Sequence, residues 1–254
     1  MADDVVALAN FMGHLRHHLQ GWRQKVLNDF SQLAHDAELQ ALSTDPVYSR
    51  FHLATSEYIF IRLMGRMSVS IGRRLGELYD KIPRIAAQAR YQLRQDQVVV
   101  KFGGLELDVG LTLGDLSDVD AQHLVEVCRR HIGIDLTAYR GVAIEIRYNF
   151  NPNDSARLRK DKELAQLLLD AGYFPLYLVF AENSPRLADA VASLTRSGWT
   201  FSIGLPALQF MADVVGFDIS SVLDRPEVSA EINDEIQQVM RSIKESYAYG
   251  KFSL

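Results

Sequence analysis

An aspartate and a glutamate in two short apolar runs, with an arginine close behind, form the chain's most reactive pattern. Asp108 lies in LELDVGLTL and Glu145 in GVAIEIRYNF, where Arg147 follows two residues later. Side chains alternate faces along a strand, so Glu145 and Arg147 point to the same side. If the strands bearing Asp108 and Glu145 are neighbours, the two acids converge on one divalent cation. Two carboxylates and a strand carbonyl suit a hard ion such as Mg2+, which keeps several of its waters. Such an ion acidifies a bound water and stabilises charge on a phosphorane-like transition state, while a neighbouring cationic side chain orients the nucleophile. A plainer reading stands beside it. An unpaired carboxylate in an apolar strand is costly, so Glu145 between Ile144 and Ile146 needs a partner, and a salt bridge to Arg147 or a helix arginine would also serve.

Positioning these side chains takes a sheet. Residues 97–113 read as a hairpin around Gly103 and Gly104, both able to take the positive φ of a tight turn, with Asp108 in the second strand. A helix over 117–132 follows, capped by Ser117 or Asp118; capping explains Asp115, Asp118 and Asp120 better than a calcium loop lacking its glycine and distal glutamate. Residues 141–150 form a third strand, apolar at its start and therefore central. A helix capped by Asp154 or Ser155 runs to Ala171, a buried strand spans 174–181, a helix opens near Pro185, and a fifth strand covers 199–203. Upstream, 5–41 and 49–79 read as helical, with a break at Pro83 and a resumed helix over 85–94. Two more helices cover 206–215 and 229–247. The order predicts an α/β (α+β) protein with a mixed central β-sheet flanked by helices. An N-terminal helical region (1–95), a core (96–205) and C-terminal helices (206–254) are expected within one compact domain.

Composition narrows the class. With 48% hydrophobic and 23% charged residues among 254, the chain is too apolar to be disordered. Its single cysteine, Cys128, excludes an intramolecular disulfide and CxxC zinc clusters. The start, MADDVVALANF, lacks the pattern of a signal peptide, and no apolar run reaches the roughly 18 residues of a membrane span. A cytoplasmic protein without a membrane partner is expected. No Walker loop, Rossmann glycine fingerprint or nucleophile elbow is present. The overall charge is -5, but residues 60–95 hold eight basic side chains against two acids, while 101–139 and 211–245 are acidic. Such asymmetry suits an enzyme that meets a polyanion through bound cations.

A hairpin with an aspartate in its second strand, then a strand bearing Glu-x-basic, then a helix and a buried strand, resembles the PD-(D/E)XK nuclease superfamily over residues 97–203. The run EIRYNFNPNDSARLRKDKELAQLLLDAGYFPLYLVF is similar to type II restriction endonucleases of the ApaLI type. The resemblance implies a restriction-endonuclease-like sheet, with Asp108 and Glu145 as Mg2+ ligands and the Ile146 carbonyl as a third. It implies a homodimer that hydrolyses phosphodiester bonds of double-stranded DNA at a short palindromic site, leaving a 5′-phosphate and a 3′-hydroxyl. The segment SIGRRLGELYD resembles the superfamily's leading helix and points to Glu77 as an extra acid.

Two departures matter: Leu107 stands where the motif has proline, and Arg147 where it has lysine. Arginine stays charged, so it stabilises a phosphate but does not act as a base. Lys160 or Lys162, on the next helix, would supply a displaced lysine. Arg66, Arg73 and Arg74 are the expected contacts to DNA phosphates. Asn149, Asn151 and Asn153 are candidates for reading adenine edges. Arg147 also makes room for a catalytically inactive DNA-binding or regulatory protein on the same fold.

Overall fold

The computed structural model describes residues 2–149, 155–182 and 187–252, and their side chains except at 2–7, 155 and 187. Helices lead: α1 (Ala2–Asp29), α2 (Gln32–Thr44), α3 (Ser56–Tyr91) and the single turn α4 (Gln95–Val98). Strands β1 (Lys101–Phe102), β2 (Leu105–Glu106) and β3 (Val109–Thr112) precede α5 (Asp118–Ile132), β4 (Gly141–Arg147), α6 (Ser155–Asp170) and β5 (Tyr173–Val179). Then come α7 (Leu187–Thr195), β6 (Thr200–Ile203), α8 (Leu205–Val215), α9 (Ile219–Leu223), α10 (Pro226–Lys244) and α11 (Tyr247–Phe252). The expected α/β class with a mixed sheet is what the chain adopts, and no described helix is long and apolar enough to cross a membrane.

The chain groups into two units, Met1–Phe11 with Gly76–Val222, and Met12–Leu75 with Leu223–Leu254. This grouping differs from the three consecutive regions expected from sequence, because residues 223–254 group with 12–75 while α8 and the second half of α3 stay with the sheet. The first unit holds the sheet. Its order is β3-β4-β5-β6, with β3 antiparallel to β4 and the remaining pairs parallel. The parallel pairs need crossovers, which α6 and α7 supply. A core of Ala143, Leu164, Leu168, Tyr177, Leu194 and Trp199 fills the space where these helices meet the sheet.

Local chemistry explains where the sequence expectations shifted. The helix expected over 5–41 is interrupted because Ser31 caps α2, accepting from the Ala34 amide at 3.3 Å. Pro83 lies inside α3 instead of ending it. It forfeits one backbone hydrogen bond, but it is buried with Ile82, Ala86 and Ala87, and that burial carries the helix across. The Gly103–Gly104 turn does form a hairpin, with φ of 55° and 83°, but only of two-residue strands, because Gln95–Val98 winds into α4. Asp108 therefore lies between β2 and β3, at a bend, and not within a continuous strand. Ser117 caps α5 as expected, accepting from the Asp120 amide at 3.2 Å.

Two glycines separate packing from propensity. A Cβ on Gly141, in central strand β4, would run into the Leu111 carbonyl of β3, so Gly141→Ala should destabilise the protein by about 1–3 kcal/mol. Gly65 is an exposed glycine of α3 with nothing within 4 Å of a Cβ, so Gly65→Ala should stabilise by about 0.5–1 kcal/mol. Urea unfolding of both variants checks the signs; a neutral Gly141→Ala would refute the tight β3–β4 approach.

Candidate functional site

The site lies in the unit that holds the sheet. Because β3 runs antiparallel to β4 with Val109 opposite Ile144, Asp108 comes level with Glu145. Asp108 Oδ2 accepts from the Ile146 amide at 2.8 Å and from Arg147 Nη1 at 3.2 Å. Arg147 Nη1 also donates to the Ile146 carbonyl at 2.5 Å, and Nη2 donates to Glu145 Oε1. The two carboxylates and the carbonyl that were expected to converge do so, and the Arg147 guanidinium lies among them. The plainer reading of Glu145, a salt bridge to Arg147, is thus realised in the same geometry.

A wider ring surrounds this knot. Arg84 of α3 donates to Asp108 Oδ1 and pairs with Asp80 at 2.9 Å and Glu106 at 3.3 Å. Asp161 of α6 lies 4.0 Å from Arg147 Nη2 and accepts from the Tyr177 hydroxyl at 3.0 Å. The Asp161 carbonyl accepts from Trp199 Nε1 at 2.7 Å, and the Tyr177 ring lies 5.7 Å from the Arg147 guanidinium. Asp108, Glu145 and Asp161 are all buried.

Charges of both signs meet in this ring: Asp80, Asp108, Glu145 and Asp161 face Arg84 and Arg147, and Arg157 acts on Glu145 and Asp161 as well. Burial pushes the Asp80 carboxyl up to about 6, and the charge on Asp108 adds to the effect against Arg84. Burial likewise raises Glu145 and Asp161, with Arg147 opposing in both. Burial, the leading cause in each case, favours the protonated form, and the arginines oppose it.

The remaining expected residues scatter. Lys160 lines a cleft of about 380 Å³ with Glu106, Glu145, Arg147, Arg157 and Asp161. Lys162 is exposed and does not line it. Glu77 is half-buried on α3, but the acid this helix brings to Arg84 and Asp108 is Asp80, one turn on. Asn149 is half-buried just beyond β4, while Asn151 and Asn153 lie outside the described residues. Arg66, Arg73 and Arg74 belong to the other unit.

Sequence reasoning missed Asp80, Arg84, Asp161 and Tyr177. Placing a helix break at Pro83 hid the i,i+4 relation of Asp80 and Arg84. Asp161 had a usable signal: with Leu164, Ala165 and Leu168 it follows the helical period of a buried face.

Among the described residues no group of three or more His, Cys, Asp or Glu side chains is arranged to hold a metal; the converging set here is two carboxylates and a main-chain carbonyl. No protein-family model, curated protein or solved structure matches the chain.

An acid whose carboxyl is raised in the folded state binds protons more tightly there than in the unfolded chain, so its contribution falls as pH climbs between the two values. For Asp80 that window runs from 3.8 to about 6. Thermal melts of metal-free protein should show wild-type stability declining across it relative to Asp80→Asn. Parallel curves for the two proteins would mean that Asp80 is not perturbed.

Proposed function

We propose that the chain is a Mg2+-dependent endonuclease of restriction type, hydrolysing phosphodiester bonds of double-stranded DNA at a short palindromic site as a homodimer. The observation that carries this reading is the convergence of Asp108, Glu145 and the Ile146 carbonyl, with the carboxylates of Asp80 and Asp161 close by. The donor set suits the ion, since every donor is a hard oxygen and Glu145 Oε2 is buried without a hydrogen-bond partner. Asp108, Glu145 and Ile146 would hold it, with Asp80 alongside. When bound, Mg2+ supplies a more acidic water and charge stabilisation at a phosphoryl oxygen.

The chain's own groups do the rest. Arg147 remains protonated, because Glu145, Tyr177 and Asp108 outweigh the effect of its burial, and so it binds a phosphate oxygen without taking a proton. Asp161 and Tyr177 hold that guanidinium from the far side. Lys160 and Arg157, exposed at the mouth of the cleft, meet the phosphates on either side of the scissile bond.

One observation favours a second reading. Arg147 already donates to Asp108 Oδ2, the Ile146 carbonyl and Glu145 Oε1, three of the oxygens that a cation would use. A nuclease fold kept for DNA binding alone, with the arginine as a permanent internal counter-ion, has the same geometry.

Phage DNA incubated with Mg2+ or with EDTA separates the two. Discrete fragments are expected with Mg2+ only, at a rate reduced at least about 100-fold in Glu145→Gln, while Arg147→Lys retains cleavage. Intact DNA with Mg2+, bound alike by wild type and Glu145→Gln in a salt-dependent way, would establish the second reading.

A further inference from the structure

Arg147 rests on three oxygens: Asp108 Oδ2 at 3.2 Å, the Ile146 carbonyl at 2.5 Å, and Glu145 Oε1. The proposed cation would take the same three. The guanidinium must then give up contacts, and its donors need other acceptors, because a buried charge left unpaired is costly.

A second acceptor is built beside it. Asp161 Oδ1 lies 4.0 Å from Arg147 Nη2, so a shift of about 1 Å would bring the pair to hydrogen-bond distance. Asp161 is held from two directions, its Oδ2 accepting from the Tyr177 hydroxyl at 3.0 Å and its carbonyl from Trp199 Nε1 at 2.7 Å. The Tyr177 ring is fixed in turn. It stacks on Phe201, with centroids 4.9 Å apart at an interplanar angle of 19°, and meets Trp199 edge-on at 5.2 Å. The guanidinium lies over this ring, 5.7 Å from its centroid. A carboxylate and an aromatic face, both suited to a guanidinium, are thus set by α6, β5 and β6, apart from the bend and the strand that carry Asp108 and Glu145.

The residue type at 161 points the same way. Leu164, Ala165 and Leu168 share this buried face of α6, where an apolar side chain would avoid the desolvation cost of a carboxylate. The position carries an acid instead, acted on by Arg147 and, from the cleft, by Arg157.

We propose that Asp161 is a positioning residue, a second seat onto which the Arg147 guanidinium turns when a divalent cation takes the oxygens of Asp108, Glu145 and Ile146. Tyr177 fixes that seat. Arg147 is then a removable internal counter-ion: it pairs the acids of the empty site and stays beside the phosphate in the loaded one. The proposal rests on the Mg2+ reading for the identity of the incoming charge and goes beyond it in saying where the arginine goes.

Two measurements on the full chain without DNA test it. Calorimetry with MgCl2 compares wild type with Asp161→Asn and with Tyr177→Phe, which removes only a hydroxyl. Nitrogen-15 spectra of the arginine side chains, with Arg147 assigned by its absence in Arg147→Lys, report the turn itself. Mg2+ should bind about 10-fold more weakly to Asp161→Asn, and Tyr177→Phe should change in the same direction by less. The Arg147 signal should move on addition of Mg2+ to wild type and take a different position in Mg2+-saturated Asp161→Asn.

Equal Mg2+ affinity in wild type and both variants, or an Arg147 signal that stays in place in Mg2+-saturated wild type, would overturn the second seat and leave the nuclease reading intact. Absence of Mg2+ binding by wild type would remove the Mg2+ reading, and the seat with it.

Discussion

The Arg147 guanidinium is the tie on which the sheet-bearing unit's polar interior depends. It joins the bend before β3, through Asp108, to β4, through Glu145 and the Ile146 carbonyl, and it faces Asp161 on α6. Buried carboxylates pay a desolvation penalty of several kcal/mol each, and Coulomb attraction offsets it only where geometry is good and remaining lone pairs are satisfied. Here one planar cation serves several acceptors at once. Arg84 does the same from α3, reaching Asp80, Glu106 and Asp108. Without these arginines, the buried carboxylates at the strand and helix ends would bring like charges together.

Strand order decides why the charges gather at this end of the sheet. β4 is flanked by antiparallel β3 and parallel β5, so it is central and both of its faces are covered. Ala143, Glu145 and Arg147 share one face by alternation. Ala143 packs with Leu168 and Tyr177 in the apolar core, and the charged pair begins one step further along. That step falls at the carboxyl ends of the parallel strands, where Arg147 stands opposite Val179. In open α/β sheets this is the end where connecting loops diverge and leave a crevice. Tyr177 and Trp199 close the crevice from beneath, and both hydrogen bond to Asp161, so the apolar core and the polar ring are joined through one aspartate.

Much of this could be read from the sequence, and the limits have physical causes. The strand–helix–strand order was visible because buried parallel strands are near-continuous apolar runs and their crossovers start and stop on Ser, Asp and Gly. Glu145 stood out because a carboxylate flanked by isoleucines must have a partner. What could not be read was the partner, since a two-residue alternation places Arg147 on the same face without fixing its rotamer. The Asp80 and Arg84 contribution from α3 was not foreseen, because propensity alone ends a helix at Pro83 and says nothing of the burial that carries it through. Asp161 was obscured by its neighbours: RLRKDKE looks solvated by composition, yet Asp161 is buried while Lys160 and Lys162 are exposed.

The ring's own charge balance bears on what the arginine does there. Asp80, Asp108, Glu145 and Asp161 face Arg84 and Arg147, and Arg157 at the cleft acts on Glu145 and Asp161 as well; Glu106 is half-exposed and screened by water. Burial is the leading cause that raises the carboxyls of Asp80, Glu145 and Asp161, and Arg147 opposes it at each. A lysine in place of Arg147 would contribute the same charge through a single point of contact, whereas the guanidinium reaches Asp108, Glu145 and the Ile146 carbonyl at once while lying against the Tyr177 ring. The site therefore depends on the shape of its central cation as much as on its charge, since a lysine would leave some of these buried acceptors unpaired.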